Sequence, residues 1–552
     1  MKWILCLAAL AVAGCGEHPV VSMVESGQDR LANSVDRNVF WSALEFLADD
    51  ALEGRAPGTR GGELAAKYVA AEFRRIGLEP AGDDGTFFHR VPIISLTPKP
   101  SLSLKAPGIR SRRLRYPDDY VLWSMKNEAT VSARADLVFV GYGIVAPEYQ
   151  WDDYAGVDVT GKIVATLVND PGLVDSTIFR GQELTYYGRW TYKIEEAARQ
   201  GAAGILLVHT TRSATYPWGT VAGSWTGPQV RLEAPPTSLA VAGWLSEGIA
   251  TDLLQAVGPT VDDVLAAAAT REFASLPLGV SAVASVRSTV TRSETVNVIG
   301  RLTGWGPDPN ESVMIGGHYD HLGIGAPVNG DSIYNGAVDN ASGTAAVITA
   351  AQAFMTSGVR PDRSILFMAF GAEESGLLGS EAFATRPTLP LRDLVAVINL
   401  DEMNLYGRTQ DVSALGVDQS SLGKTFTQAA KAEGLEVSAN PDAIRKGYFF
   451  RSDHFPFVLH GVPALALQFG ESYDGRDPGW GAQMAAEYET ERYHRPADEL
   501  LAWYTPDGAL QQLRVVLRTA LAVADASDQP AWNEGSEFRE AGERRLGHAG
   551  DE

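Results

Sequence analysis

The chain has 552 residues, 45% of them hydrophobic and 21% charged. This is ordinary globular composition with more length than one compact core absorbs, so two domains are expected, and collagen, low-complexity disorder and coiled coil are excluded. The only cysteines, Cys6 and Cys15, exclude a disulfide scaffold or a thiolate-held metal in the body of the protein, and 46 basic against 68 acidic residues, a net charge of -22, argue against a nucleic-acid partner.

Residues 1–14 read as an export signal, with Lys2 as a minimal charged start and Trp3 to Val12 as an apolar stretch too short to span a bilayer. Val12-Ala13-Gly14-Cys15 resembles the lipobox of bacterial lipoproteins, in which the cut precedes Cys and that Cys receives lipid. The resemblance implies lipidation at Cys15, a membrane anchor without a spanning helix, and a place in the cell envelope facing the periplasm or the exterior. Residues 15–37 then form a linker.

From residue 38 to 127, Phe40, Leu44 and Leu47, then Ala65, Tyr68, Val69, Phe73 and Ile76, recur at helical spacing. They predict two amphipathic helices split by the turn-rich Gly54 to Gly62. Residues 128–272 hold the apolar runs Leu137–Val140, Ile163–Val168 and Gly204–Val208, with a helical segment from Trp190 to Gln200. Over 273–525, short buried strands alternate with helices, the pattern of an α/β domain with a mainly parallel sheet flanked by helices. Its last helix starts at Thr505-Pro506 and carries Leu510, Leu513, Leu517 and Leu521 on one stripe. Residues 526–552 read as a polar, weakly ordered tail.

The chemistry gathers at strand ends of the third region, where open α/β sheets bind ligands. Val313-Met314-Ile315 leads to His318-Tyr319-Asp320, Ile365 to Phe370 leads to Glu373-Glu374, and Leu394 to Leu400 leads to Asp401. Asp339-Asn340-Ala341-Ser342-Gly343 opens a helix, and His494 follows the apolar run Ala464 to Phe469. His318, Asp339, Glu374, Asp401 and His494 could together hold two divalent metals on nitrogen and oxygen; that donor mix suits zinc, with cobalt or manganese less so. In an extended segment Asp320 points the same way as His318 and can take its second N–H, while Glu373 and Glu374 point oppositely. Singly, each motif has a bland reading as a core histidine, an N-cap or a solvated acid pair; three acidic signals at the carboxyl ends of apolar strands are not a packing requirement.

These motifs resemble the co-catalytic zinc aminopeptidases of the bacterial leucyl aminopeptidase type, related to glutamate carboxypeptidase and glutaminyl cyclase. His-x-Asp at 318–320, Asp-Asn-Ala-Ser-Gly at 339–343, Glu-Glu at 373–374, Asn-Leu-Asp at 399–401 and the late His494 stand in that family's order. Gly141-Tyr142-Gly143-Ile144 through His209 looks like a protease-associated insert domain, spanning 128–272 and β-rich, which interrupts the peptidase domain. The resemblance implies a zinc-exopeptidase fold, one zinc on His318 and Asp401, a second on Glu374 and His494, Asp339 bridging them, and Glu373 as general base for a bridging water. The family's usual Met after the aspartate is here Glu402, and only Tyr448 of the Tyr448-Phe449-Phe450 run could supply an oxyanion or substrate contact. His321, His454 and His460 are left without a metal role; His89, His209 and His548 are read as structural or surface residues.

The function implied is peptide hydrolysis from the amino end. A carboxypeptidase or dipeptidase on the same site, a single-zinc glutaminyl cyclase and a noncatalytic binding protein are the alternatives. No Gly-x-Ser-x-Gly elbow, His-Glu-x-x-His helix, phosphate loop or dinucleotide fingerprint competes.

Overall fold

A computed structural model describes residues 26–105, 112–233, 237–255, 258 and 260–547. Cys15 and His548 lie outside the described residues. Helix α1 (Arg37–Leu47) is capped by Asp36, whose carboxylate accepts the main-chain N–H groups of Asn38 and Val39, and α2 (Arg60–Ile76) is capped by Thr59. Their apolar stripes are buried in one core, as their 3.6-residue spacing predicts.

The next strands build one part of a continuous 16-stranded sheet, the middle sheet; its other part is the carboxy-terminal sheet. The long β1 (Phe88–Lys105) is followed by β2 (Tyr120–Ser124), β3 (Thr130–Phe139), β4 (Ile163–Leu167), helix α3 (Trp190–Arg199), β5 (Gly204–Val208) and β6 (Val241–Leu245). Strands β3, β4, β5 and β6 run parallel in that order, and β2 closes the edge antiparallel to β6. The boundary expected at residue 128 falls after β2, yet β2 belongs to this middle sheet, where all five of its residues pair with β6 and are buried.

Strand β7 (Leu276–Leu302) spans 27 residues and belongs to both halves of the molecule. Leu276 to Arg287 pair with β3, whereas Val298 to Leu302 pair with the carboxy-terminal sheet. That second sheet comprises β8 (Ser312–His318), followed by helix α4 (Gly343–Thr356), β9 (Ser364–Phe370), β10 (Leu394–Asn399), β11 (Asp411–Leu415) and β12 (Ala464–Gln468). Its order is β11-β12-β10-β8-β9-β7, with the four strands from β12 to β9 parallel. Helix α5 (Asp507–Ala524) packs on it through the leucine stripe. Among the described residues no helix is long and apolar enough to cross a membrane.

The chain beyond 525 departs from the expected loose tail. Trp532 donates its indole N–H to Gly461 O, Phe538 is buried beside Phe449 and Phe455, and α6 (Arg539–Arg545) ends on Arg545, which donates to Leu394 O at 2.9 Å. Glu537 accepts the Tyr186 main-chain N–H at 3.1 Å, so this segment straps the middle sheet's loops to the carboxy-terminal sheet. Composition alone hid the strap because few of its residues are apolar, and its anchors are two aromatic and two charged side chains at no regular spacing.

Candidate metal centre

Strand β8 is buried along its whole length and delivers His318 as its last residue. Gly317 just before it has no room for a side chain: a Cβ there would stand 2.5 Å from Leu400 O. The close approach brings the ends of β8 and β10 together and with them His318 and Asp401. Arg55, buried in the turn between α1 and α2, donates to the carbonyls of Tyr319, Asn335 and Gly336 at 2.7, 2.6 and 3.0 Å. The amino-terminal helices thus fix both loops that enter the centre, and burial lowers the guanidinium pKa to about 10.

Asp339 lies just before α4, and its two oxygens face different imidazoles. Its Oδ1 is 3.3 Å from His318 Nε2, and its Oδ2 is 3.2 Å from His494 Nε2. Asp401 Oδ1 lies 3.1 Å from His318 Nε2, and Glu374 Oε2 lies 3.1 Å from His494 Nε2. Asp401's other oxygen accepts the Ser452 hydroxyl hydrogen. The five residues singled out by sequence therefore fall into two sets that share Asp339. Glu373 stands beside the first, its Oε2 3.9 Å from His318 Nε2.

The chemistry of these donors fits a bound cation. His318 Nδ1 faces Asp320 O at 3.2 Å; a carbonyl only accepts, so Nδ1 carries the hydrogen and Nε2 of the neutral ring is a lone pair. That lone pair points at carboxylate oxygens, an arrangement favourable only with a positive charge between them. In the absence of a metal the proton supplies it. Burial opposes charge on both rings, yet Glu373 and Asp401 hold His318 well above the usual imidazole range, and Glu374 with Asp339 raises His494 to about 11. Burial and Asp339 push Glu374 up, but His321 and His494 outweigh them and bring it to about 2. Glu373 is different: burial pushes its carboxyl well above the ordinary value, as the charges of Glu374 and Asp401 also do, against a lowering by His318.

Two local expectations change. Asp320 does not take the His318 N–H with its carboxylate, which lies 3.9 Å away, because the chain leaves the extended state at His318; its main-chain carbonyl makes that contact. The Asp320 carboxylate instead accepts the Glu373 and Glu374 main-chain N–H groups at 3.1 and 3.4 Å. Likewise Glu373 and Glu374 diverge on a turn after β9 and not along an extended strand: Gly376 and Leu377 both donate to Glu373 O.

Other residues enter only with the structure. Asp498 accepts the main-chain N–H groups of Val338 and Asp339 at 3.1 Å each and the Tyr488 hydroxyl, so it holds the segment that carries the shared aspartate. His321, unassigned by sequence, places Nδ1 2.6 Å from Glu374 Oε1. Only their nearness to His494 and His318 in the chain hints at either. Glu402 has φ 62° and donates its main-chain N–H to Asn340 Oδ1, while its carboxylate makes no hydrogen bond or ion pair among the described residues. Tyr448 is half-buried, with the guanidinium of Arg451 5.0 Å from its ring centroid, whereas Phe449 and Phe450 join the core. His454 packs edge-on to Phe449, His89 is held by Arg386 O and Asn297, and His209 by Tyr216 O, which keeps all three structural.

Residues 297–519 match the description of peptidase family M28. The chain is 28% identical over 200 residues to leupeptin-inactivating enzyme 1 of Streptomyces exfoliatus, covering 35% of this chain and 41% of that protein. It is 27% identical over 226 residues to leucine aminopeptidase 1 of Neurospora crassa, covering 39% and 52%. The matched segments thus span about half the length of these relatives or less. Among solved structures, the aminopeptidase from Aneurinibacillus sp. strain AM-1 aligns over 91% of this chain and 97% of its own at 18% identity, with a TM-score of 0.47.

Proposed function

Residues 297–519 match peptidase family M28, and from that match we propose that the chain belongs to this family and is a two-zinc aminopeptidase releasing amino-terminal residues from peptides. The observation that carries the reading is Asp339, whose two oxygens each join a separate histidine and acid. His318, Asp339 and Asp401 would hold one zinc; His494, Asp339 and Glu374 the other. Bound zinc supplies Lewis-acid polarisation of the scissile carbonyl and acidifies the attacking water. Glu373 would take a proton from the attacking water and return it to the leaving amine, a role its place beside His318, with Oε2 3.9 Å from Nε2, suits. Asp320 aids it by fixing the Glu373 and Glu374 main chain, and Asp498 by fixing that of Asp339.

The amino end is preferred because relatives carry aminopeptidase names, and a panel of end-blocked peptides tests it. A free-amine peptide is expected to be cleaved and its amino-acetylated counterpart spared; the reverse pattern assigns a carboxypeptidase. Metal analysis of protein purified without chelator is expected to find two zinc ions per chain, and none would support a noncatalytic binding protein. The segment from Val12 to Cys15 supports export and lipid anchoring in the cell envelope. Wild-type protein is expected in the membrane fraction and Cys15→Ser in the soluble one; equal partition removes the anchor.

A further inference from the structure

His321 is wholly buried beside the centre but has no part in the reaction outlined above. It sits three residues past His318, and its Nδ1 stands 2.6 Å from Glu374 Oε1, the short separation of a charge-assisted hydrogen bond. A carboxylate only accepts, so Nδ1 carries the hydrogen. Its other nitrogen, Nε2, is buried without a hydrogen-bond partner. Glu374 is thereby divided: Oε1 belongs to His321, and Oε2 faces His494 Nε2 at 3.1 Å. The far side of the centre has the same arrangement, where Ser452 occupies one oxygen of Asp401 and leaves the other for His318.

The surroundings fix His321 in this pose. Gly336, with φ 57°, presses its main chain against the ring; a Cβ there would stand 2.5 Å from the imidazole Cγ. Arg55 ties down Tyr319 O on one side and Asn335 O and Gly336 O on the other. The His494 ring lies across from His321, with centroids 5.8 Å apart. One competing role is visible, since His321, Asp339 and Glu374 each offer an atom within 4.8 Å of the others and could enclose an ion. Against it, Nδ1 is already committed to Glu374, and no His321 nitrogen pairs with Asp339, whereas His494 reaches both acids.

We propose that His321 is a positioning residue for the second metal: by holding Glu374 Oε1 it presents Oε2 alone to the space between Asp339 and His494. A carboxylate restrained in this way loses less rotational freedom on binding an ion, and it keeps to one oxygen per metal. The proposal rests on the two-zinc reading above.

The test is a zinc titration of the metal-free full-length chain against a competing chelator, a readout independent of turnover. Wild type is expected to show two binding steps. His321→Leu should weaken one of them by about 10- to 100-fold, the usual cost of losing a partner of a metal ligand, and leave the other in place. His321→Asn, whose side-chain N–H can stand where Nδ1–H stood, should recover most of that loss. Thermal melts of the metal-free variants check folding, and His321→Asn keeps the test decisive if the leucine variant fails to fold. Loss of the step in both variants with folding intact indicates direct ligation and overturns the proposal, as does an unchanged titration of His321→Leu. A wild-type chain taking up fewer than two zinc ions overturns the two-metal reading along with it; two ions with unaffected variants overturn this inference alone.

Discussion

The middle and carboxy-terminal sheets are built alike, each with four parallel strands and with polar residues buried beyond some of the strand ends, yet only one gathers a candidate metal centre. In the middle sheet, Asp170 follows β4 and accepts three hydrogen bonds, from Gly172 N, Thr185 N and Thr185 Oγ1 at 3.0, 3.1 and 2.7 Å. His209 follows β5 and is satisfied by Tyr216 O. In the carboxy-terminal sheet, Asp339, Glu374 and Asp401 each direct an oxygen at an imidazole nitrogen and not at a main-chain donor. The lesson is one of supply: a buried acid that finds its own N–H groups closes a turn, whereas acceptors in excess of donors require a cation.

Four substitutions would break or sharpen that contrast. Glu373→Gln should keep the zinc content of the wild type while kcat falls by about 10²- to 10⁴-fold, the usual worth of a general base; wild-type turnover would remove it from that role. Asp170→Ala, in the sheet without a centre, should leave zinc content and kcat unchanged but cost about 1–3 kcal/mol in denaturant unfolding, since it orphans buried donors. A fall in zinc content with the fold intact would contradict the contrast. Glu537 tests the strap between the sheets through pH: burial raises its pKa from 4.5 to about 8. The folded state holds that proton longer than the unfolded one, so its contribution to stability is lost as pH rises from about 4.5 to 8. Glu537→Gln should flatten that part of the melting profile between pH 5 and 8 relative to wild type; parallel profiles would show that the residue does not titrate as its burial requires. The smallest effect is expected of Tyr448→Phe, under about tenfold in kcat/KM against the ~10²–10³ an oxyanion donor is worth, because the Tyr448 ring is engaged by Lys446 and Arg451.

Much of this was legible in the sequence because it rests on local periodicity. The two amphipathic helices around Arg55 and the helix after Asp339 announce themselves by spacing, and the strands leading to His318, Glu374 and Asp401 by short apolar runs. The five donors were readable as a set since strand ends converge in any open parallel sheet. What was not legible depends on loop paths. Whether Asp320 meets His318 by its side chain or its carbonyl turns on one residue of strand length, and the grip of His321 on Glu374 joins two loops more than fifty positions apart. The strap beyond 525 escaped notice for a related reason: its hold depends on a few contacts such as Trp532 with Gly461 and Glu537 with Tyr186, which no periodic pattern marks.

Strand β7 gives the two sheets a common backbone, and this bears on how the protein comes apart. A strand hydrogen-bonded to β3 at one end and to β9 at the other cannot let go of one sheet without fraying into the next. Heating should therefore melt the molecule in one cooperative calorimetric transition. Proteolytic nicking of an exposed loop of the middle sheet should leave the fragments associated under native conditions, separating only when the whole chain unfolds.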